Sequence, residues 1–221
     1  MDFRVRSYRD EDRLQVRRIC FDTGYMGESV SWYWKDLNSF ADIFVSYYTD
    51  HEPESLFVVV DDDDLVYGYL TGCVTTTKGS DPLRAGLRVA LGGLGIIRPS
   101  IATTIWRSIS DGLGDVLIRR LPAIRPFDDP RWPSHLHIDL LEPARGKGMG
   151  KKLMETWFER LSQLGSSGCF LETLVENKGA IDFFESVGFR KFGEVQPVPG
   201  IRTPQGDRLH RQIMVRDIAA S

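Results

Sequence analysis

The sequence predicts a mixed α/β domain, and three observations predict it. Short runs of strand character recur at residues 3–6, 55–60, 65–74 and 135–141, several with period-2 alternation of apolar and polar residues. Other segments carry apolar residues at helical spacing, most clearly Leu153, Met154, Trp157, Phe158, Leu161 and Leu164. Residues 135–153 hold a strand, a glycine-rich turn and the start of a helix in immediate succession.

Taken in order, residues 3–6 form a first strand. Asp10 stands where it can cap a helix running through Leu14, Val16, Ile19 and Cys20 and ending near Gly24. The aromatic segment of Trp32, Tyr33, Trp34, Phe40, Phe44, Tyr47 and Tyr48 has roughly helical spacing. It reads as a core-facing helix pair, with the wall of a binding pocket as the alternative. Strands at 55–60 and 65–74 flank Asp61, Asp62, Asp63 and Asp64. Consecutive carboxylates cannot all converge on one ion, so these form a polar hairpin turn.

From residue 78 to 131 the character changes, with nine Lys or Arg against five Asp. Ser100 is placed to cap an amphipathic helix with Ile101, Ile105, Ile109, Leu113, Val116 and Leu117 on one face. Leu83, Leu87, Val89, Leu91 and Leu94 suggest an earlier helix, weakened by Gly92, Gly93 and Gly95. Pro122, Pro126, Pro130 and Pro133 then lead back to the sheet. This is a helical insertion at about 78–133 within a single domain spanning 1–221. Its positive charge suits an acidic substrate or cofactor phosphates; a solvated basic face is the other reading. Residues 168–175 form a further strand. A short helix follows from Asn177 and is closed by Gly188. After it come a strand at 189–195, a Pro/Gly loop at 196–207 and a last strand at 209–215.

Composition excludes several classes. A net charge of −3 at 221 residues argues against a general nucleic-acid binder. Cys20, Cys73 and Cys169 are isolated in apolar runs without metal-ligand spacing, which suits buried, reduced thiols in a cytoplasmic protein. The first residues carry an acid and no apolar core, so no signal peptide is expected, and no uncharged run is long enough to span a bilayer. No membrane or nucleic-acid partner is expected, and the chain is expected as a monomer or homodimer.

The chemistry concentrates in residues 135–153. Pro143 stops the strand because it has no amide proton to give. Gly146, Gly148 and Gly150 then open a helix whose first backbone N–H groups are unpaired, a ready anion site beside Arg145, Lys147, Lys151 and Lys152. The turn is one residue short of a Walker A loop, and Lys152 stands where a magnesium-binding hydroxyl would be. Strand alternation puts His135, His137, Asp139 and Leu141 on one face, with Leu136, Ile138 and Leu140 opposite. An acid at Asp139 can take a proton directly or through water; His137 can do the same or orient Asp139. A buried His–Asp pair that only satisfies itself is the alternative. Metal binding by His135, His137 and Asp139 lacks a further ligand, so no metal is expected. Glu172 and Glu176 are second-choice bases.

Two blocks carry a resemblance: Pro143-x-Arg145-Gly146-x-Gly148-x-Gly150, and Asn177-x-x-Ala180-x-x-Phe183-Phe184-x-x-x-Gly188-Phe189. Together they resemble the GNAT family of acyl-CoA-dependent N-acetyltransferases. The long insertion ahead of the Pro-Ser-His-Leu-His-Ile-Asp run is similar to bacterial acetyltransferases related to the C-terminal acetyltransferase-like domain of O-GlcNAcase. The resemblance implies a mixed, mostly antiparallel sheet with helices on both faces, splayed between the fourth and fifth strands. Acetyl-CoA would be co-substrate, its pantetheine arm on backbone of Asp139, Leu140 and Leu141 and its pyrophosphate on the amides of Gly146, Lys147, Gly148, Met149 and Gly150, flanked by Arg145 and Lys151. Asn177 would reach the pantetheine. The Leu141 amide would polarise the thioester carbonyl, with Asp139 or His137 as base. Phe184 stands where many members carry a tyrosine that protonates the departing thiolate. The acceptor is an amine of unknown kind, a small molecule or a protein lysine. The departure at Phe184 also admits a catalytically silent acetyl-CoA-binding module.

Overall fold

The apolar runs after Ser55 and Leu65 carry bulky side chains at consecutive positions, as strands buried on both faces require. The computed structural model describes residues 2–76, 99–118, 120 and 126–218. In it these runs are β2 (Leu56–Val60) and β3 (Val66–Cys73), with β1 (Arg4–Ser7) at the sheet edge. β4 (Ser134–Leu140), β5 (Gly168–Leu174), β6 (Arg190–Arg202) and β7 (Arg208–Asp217) complete a seven-stranded sheet of order β1-β2-β3-β4-β5-β7-β6. Every neighbouring pair is antiparallel except β4 and β5.

Helices cover both faces. On one side α1 (Arg13–Thr23), α2 (Leu37–Phe44) and α3 (Ser46–His51) bury Val16, Ile19, Phe40 and Tyr48 against Leu56, Val58 and Val60 of β2. On the other, α5 (Met149–Gln163) and α6 (Lys178–Ser186) bury Leu153, Trp157, Leu161 and Ile181 against Phe57 and Val59 of the same strand. Alternate residues of one strand thus enter two different cores. Burial of each such side chain contributes roughly 1.5–3 kcal/mol.

Three expectations need correction. Asp10 does not cap α1: it pairs with Arg13, and a 3-10 turn at Asp10–Asp12 precedes the helix, with Asp12 accepting the Arg9 amide at 2.8 Å. Leu14 faces outward. The expected loop at 196–207 is mostly strand. β6 runs on through Pro197 and Pro199 to Arg202 and the turn closes between Thr203 and Asp207. Prolines fit there because β6 is an edge strand whose register against β7 shifts twice, so few ladder donors are needed. The helix of the insertion, α4 (Pro99–Leu117), lies as an inverted amphipath. Its polar face packs on β6, while Trp106, Ile109, Leu113, Val116 and Leu117 are exposed. The helix suggested by Leu83 to Leu94 lies outside the described residues.

The acidic hairpin turn is present and is built from its charges. Asp61 Oδ1 accepts the amides of Asp63 and Leu65, each at 3.0 Å. Asp64, at φ +63°, gathers Arg4, Arg6 and Arg9.

Candidate active site at the opening between β4 and β5

β4 sets the site through its backbone polarity. The Leu141 amide donates to the Tyr67 carbonyl at 2.8 Å, and Tyr69 stands opposite Asp139. In an antiparallel ladder the hydrogen-bonding direction alternates. The odd-numbered residues of β4 therefore turn their N–H and C=O groups to β3, and the even-numbered ones to β5. Yet β5 pairs with β4 only at Ser134–Cys169 and His135–Phe170. Beyond that point β5 stays with β7 as far as Leu174 and Arg211, while β4 stays with β3. The sheet opens, and the backbone groups directed into the opening are those of Ile138 and Leu140.

This corrects the expected backbone set. The amides of Asp139 and Leu141 lie on the β3 side, and the Leu141 amide is committed to Tyr67. The backbone groups that the pairing turns toward the opening are those of Leu140 and Ile138.

The side chains of β4 divide as alternation requires. Leu136, Ile138 and Leu140 join the α5–α6 core, and His135, His137, Asp139 and Leu141 face the α1–α3 side. The ionisable three are not equivalent. His135 is enclosed, with Tyr48 Oη at 2.7 Å from Nε2 and Thr76 Oγ1 at 2.8 Å from Nδ1, so both ring nitrogens are satisfied. His137 is only partly buried, stands edge-on to Tyr48, and has no hydrogen-bond partner among the described residues. Asp139 is also partly buried and accepts a 2.6 Å hydrogen bond from Tyr69 Oη on Oδ2. Burial pushes its carboxyl upward, against the hydrogen bond from Tyr69, which favours the ionised form.

Burial holds both histidines neutral, pushing His135 down to about 3, with help from His137, and His137 down to about 4. Unfolded histidine takes its proton near 6.5. Their contribution to stability is therefore complete above pH 6.5 and is lost as pH falls toward 4 and then 3. Each histidine costs about 1.4 kcal/mol per pH unit in that window. Asp139, raised in the fold, works in the opposite sense above its own ordinary value. Urea unfolding at pH 7.5 and 5.5 should show lower stability at the acid end, with a smaller difference in His137→Asn; equal stability at both pH values would count against the neutral pair.

The glycine turn follows directly. Gly146 and Gly148 have φ +68° and +77°, and a Cβ on either would meet no protein atom within 4 Å. Gly148 is the N-cap of α5, so its neighbours' amides open onto solvent at the positive end of a 15-residue helix. Lys147, Lys151 and Lys152 are exposed around it, with Lys151 3.9 Å from Glu155. Met149 is partly buried on the α5–α6 core, and Gly150 sits under the Phe183 ring.

Arg145 is engaged differently from an anion ligand. Its Nε donates to the Leu140 carbonyl at 2.8 Å and its Nη2 to the Gly27 carbonyl at 2.6 Å. It ties the turn to the end of β4 and to the loop after α1. Gly27, at φ +89°, lies so close that a Cβ would fall 2.9 Å from the guanidinium. Asn177 caps α6, its Oδ1 accepting the Ala180 amide at 3.2 Å. Phe184 is 7% exposed, in the core with Phe183 and Phe189. Glu172 pairs with Arg211, and Glu176 accepts from the His210 backbone and lies 3.0 Å from its Nδ1. Both carboxylates thus have structural partners. Tyr25, Trp32 and Tyr33 form an edge-to-face cluster on the α1–α3 side, with Trp32 40% exposed.

Sequence reasoning missed Ile138, Tyr69, Tyr48, Thr76 and Gly27. Only the pairing register puts Tyr69 across from Asp139, and nothing local to Tyr48 or Thr76 announces a histidine. The polarity of β4 was the one missing signal for Ile138.

Residues 122–189 match the family model described as "Acetyltransferase (GNAT) family". Over 99 residues the chain is 28% identical to "Probable N-acetyltransferase family 8 member 5" of Mus musculus, which spans 45% of this chain and 44% of that protein. An 80-residue stretch is 32% identical to "Uncharacterized protein ML0378" of Mycobacterium leprae (strain TN), 36% of this chain and 21% of that protein. The chain therefore matches less than half the length of either relative. The crystal structure of SsHAT is similar over 99% of this chain and 100% of its own, at TM-score 0.65 and 24% identity. A GNAT superfamily phosphinothricin acetyltransferase from Sinorhizobium meliloti, solved in complex with AcCoA, is similar over 99% and 90%, at TM-score 0.61 and 17% identity. These likenesses show that the fold is that of GNAT acetyltransferase structures.

Proposed function

We infer that this chain is a GNAT-family acetyltransferase, moving an acetyl group from acetyl-CoA to a primary amine by direct attack. One observation carries the inference: the sheet opens at Ile138 and Leu140 immediately beside a glycine turn whose amides cap a helix. A strand edge that turns the Ile138 N–H and C=O and the Leu140 N–H into the opening suits the amide-rich pantetheine arm, while the Leu140 carbonyl already accepts from Arg145. The adjoining turn suits a pyrophosphate. The matched family model and the relative solved with AcCoA support the same reading.

In this reading the amides of residues 146–150 hold the pyrophosphate, with Lys147 and Lys151 adding charge. Arg145 acts on the turn's shape, and the side-chain NH2 of Asn177, whose Oδ1 caps α6, reaches the pantetheine. The Ile138 N–H donates to the thioester carbonyl oxygen as negative charge builds on it. The amine nitrogen bonds to the carbonyl carbon and gives up a proton to the Asp139 carboxylate, which Tyr69 orients. His137, neutral and without a hydrogen-bond partner among the described residues, is the second acceptor for that proton. The carbon–sulfur bond then breaks. Phe184 has no proton to give, so the thiolate leaves as such and takes its proton from water. The domain is taken to be cytoplasmic, and the acceptor a small amine or a protein lysine.

The Phe184 position also favours a second reading, a silent acetyl-CoA-binding module. Calorimetric titration with acetyl-CoA and a thiol-release assay over a panel of amines separate the two. Binding with turnover is the expected result. Binding without turnover on any amine makes the chain the silent module, and absence of binding overturns both.

A further inference from the structure

The helix of the insertion carries its amphipathicity the wrong way round for a packed helix. Thr104, Ser108, Asp111 and Asp115 share one face and hold α4 to the rest of the domain. Asp111 accepts from Arg202 at 2.6 Å and from the Gly200 amide at 2.9 Å; Asp115 accepts from Arg208 at 2.7 and 2.8 Å. The opposite face carries Trp106, Ile109, Leu113, Val116 and Leu117, which are 66%, 49%, 57%, 42% and 73% exposed.

Positions 106, 109, 113 and 116 follow the 3-4-3 spacing of a seam between two helices, with Leu117 beside it. A stripe of this kind is complementary to itself. The five side chains leave on the order of 600 Å² of surface exposed per copy, so two copies would bury on the order of 1,200 Å², the lower bound of a stable specific interface. An isolated patch of that size on a monomer is at the upper limit of what soluble proteins tolerate. The acidic residues of the helix raise no obstacle, because Asp111 and Asp115 are turned away and paired with arginines.

We propose that α4 is a homodimer interface, in which a second copy of this chain lays its own α4 antiparallel across the 106–117 stripe with Leu113 near the twofold axis. The face of α4 opposite the stripe meets the domain, where Thr104 Oγ1 donates to the Tyr33 carbonyl at 3.4 Å. The inference does not depend on acetyl transfer.

The test is the solution mass of the full chain by light scattering at about 1 to 200 µM, for the parent, Leu113→Asp and an Ile109→Asp/Leu113→Asp double variant, with circular dichroism to check folding. The parent is expected at twice its 25.1 kDa mass, and the double variant as a folded monomer. Leu113→Cys is the companion measurement should the aspartate variants not fold. Mild oxidation should join two copies through it, whereas Arg107→Cys, off the stripe, should not be joined. A monomeric parent at every concentration overturns the proposal, including the case in which the chain's own residues cover the stripe. A dimer that persists in the folded double variant, or equal crosslinking at 107 and 113, overturns it as well.

Discussion

Replacing Gly148 with valine is expected to raise the KM for acetyl-CoA by at least about tenfold to a hundredfold, with the domain still folded. Gly148 holds φ +77° and ψ 0° as the N-cap of α5. A left-handed conformation costs an ordinary residue roughly 1–2 kcal/mol, and a β-branched one more. That penalty is within what a folded domain survives. The added side chain meets no protein atom within 4 Å. It projects into the space from which the amides would take the pyrophosphate, so the loss falls on the ligand. Titration calorimetry with acetyl-CoA, alongside kcat and KM, reads the effect. Gly150→Val is the contrast: its Cβ falls 3.2 Å from the Phe183 ring, so it should lower thermal stability as well. An unchanged affinity in Gly148→Val would remove the turn from the cofactor site.

Asp139→Asn is expected to lower kcat/KM by about a hundredfold to ten-thousandfold, the usual contribution of a positioned base. The parent rate should fall toward acid pH as the carboxylate takes a proton, and this acid limb should vanish with the carboxylate. Tyr69→Phe provides a readout that a merely structural role would not move. The Tyr69 hydroxyl donates to Asp139 Oδ2 at 2.6 Å and so favours the charged carboxylate. Removing it raises the Asp139 value, and the acid limb moves to higher pH. His137, already pushed down to about 4, should leave the profile above pH 5 in place when changed to alanine, at a smaller cost in rate. A profile from pH 5 to 9 that moves with His137 and ignores Asp139 would reverse the assignment.

The order of elements was readable because each rests on local chemistry. Period-2 alternation marks β4, glycines interrupt the chain before α5, and Asn177 and Gly188 start and stop α6. The failures were those of long-range context. Pro197 and Pro199 read locally as loop, yet an edge position lets them extend β6. The apolar stripe of α4 was legible as one face of a helix, but periodicity identifies a face without saying which surface covers it. Arg145 read as an anion ligand by charge, and only the approach of Gly27, 118 residues earlier, gives it another task.

By itself, then, the sequence determined where a glycine turn must meet a helix N-terminus, and that His135, His137 and Asp139 share one face of the strand before it. Both follow from φ/ψ limits and alternation, which act within a few residues. Only the tertiary structure decided which of that strand's amides are free. β5 leaves β4 after two paired residues, and the register with β3 claims the Leu141 amide while turning Ile138 and Leu140 toward the opening. The same register brings Tyr69 to Asp139 and encloses His135 with Tyr48 and Thr76, leaving His137 without a hydrogen-bond partner among the described residues. Hydrogen-bonding direction along a strand depends on the neighbour it pairs with, and that neighbour lies some 70 residues away in the chain.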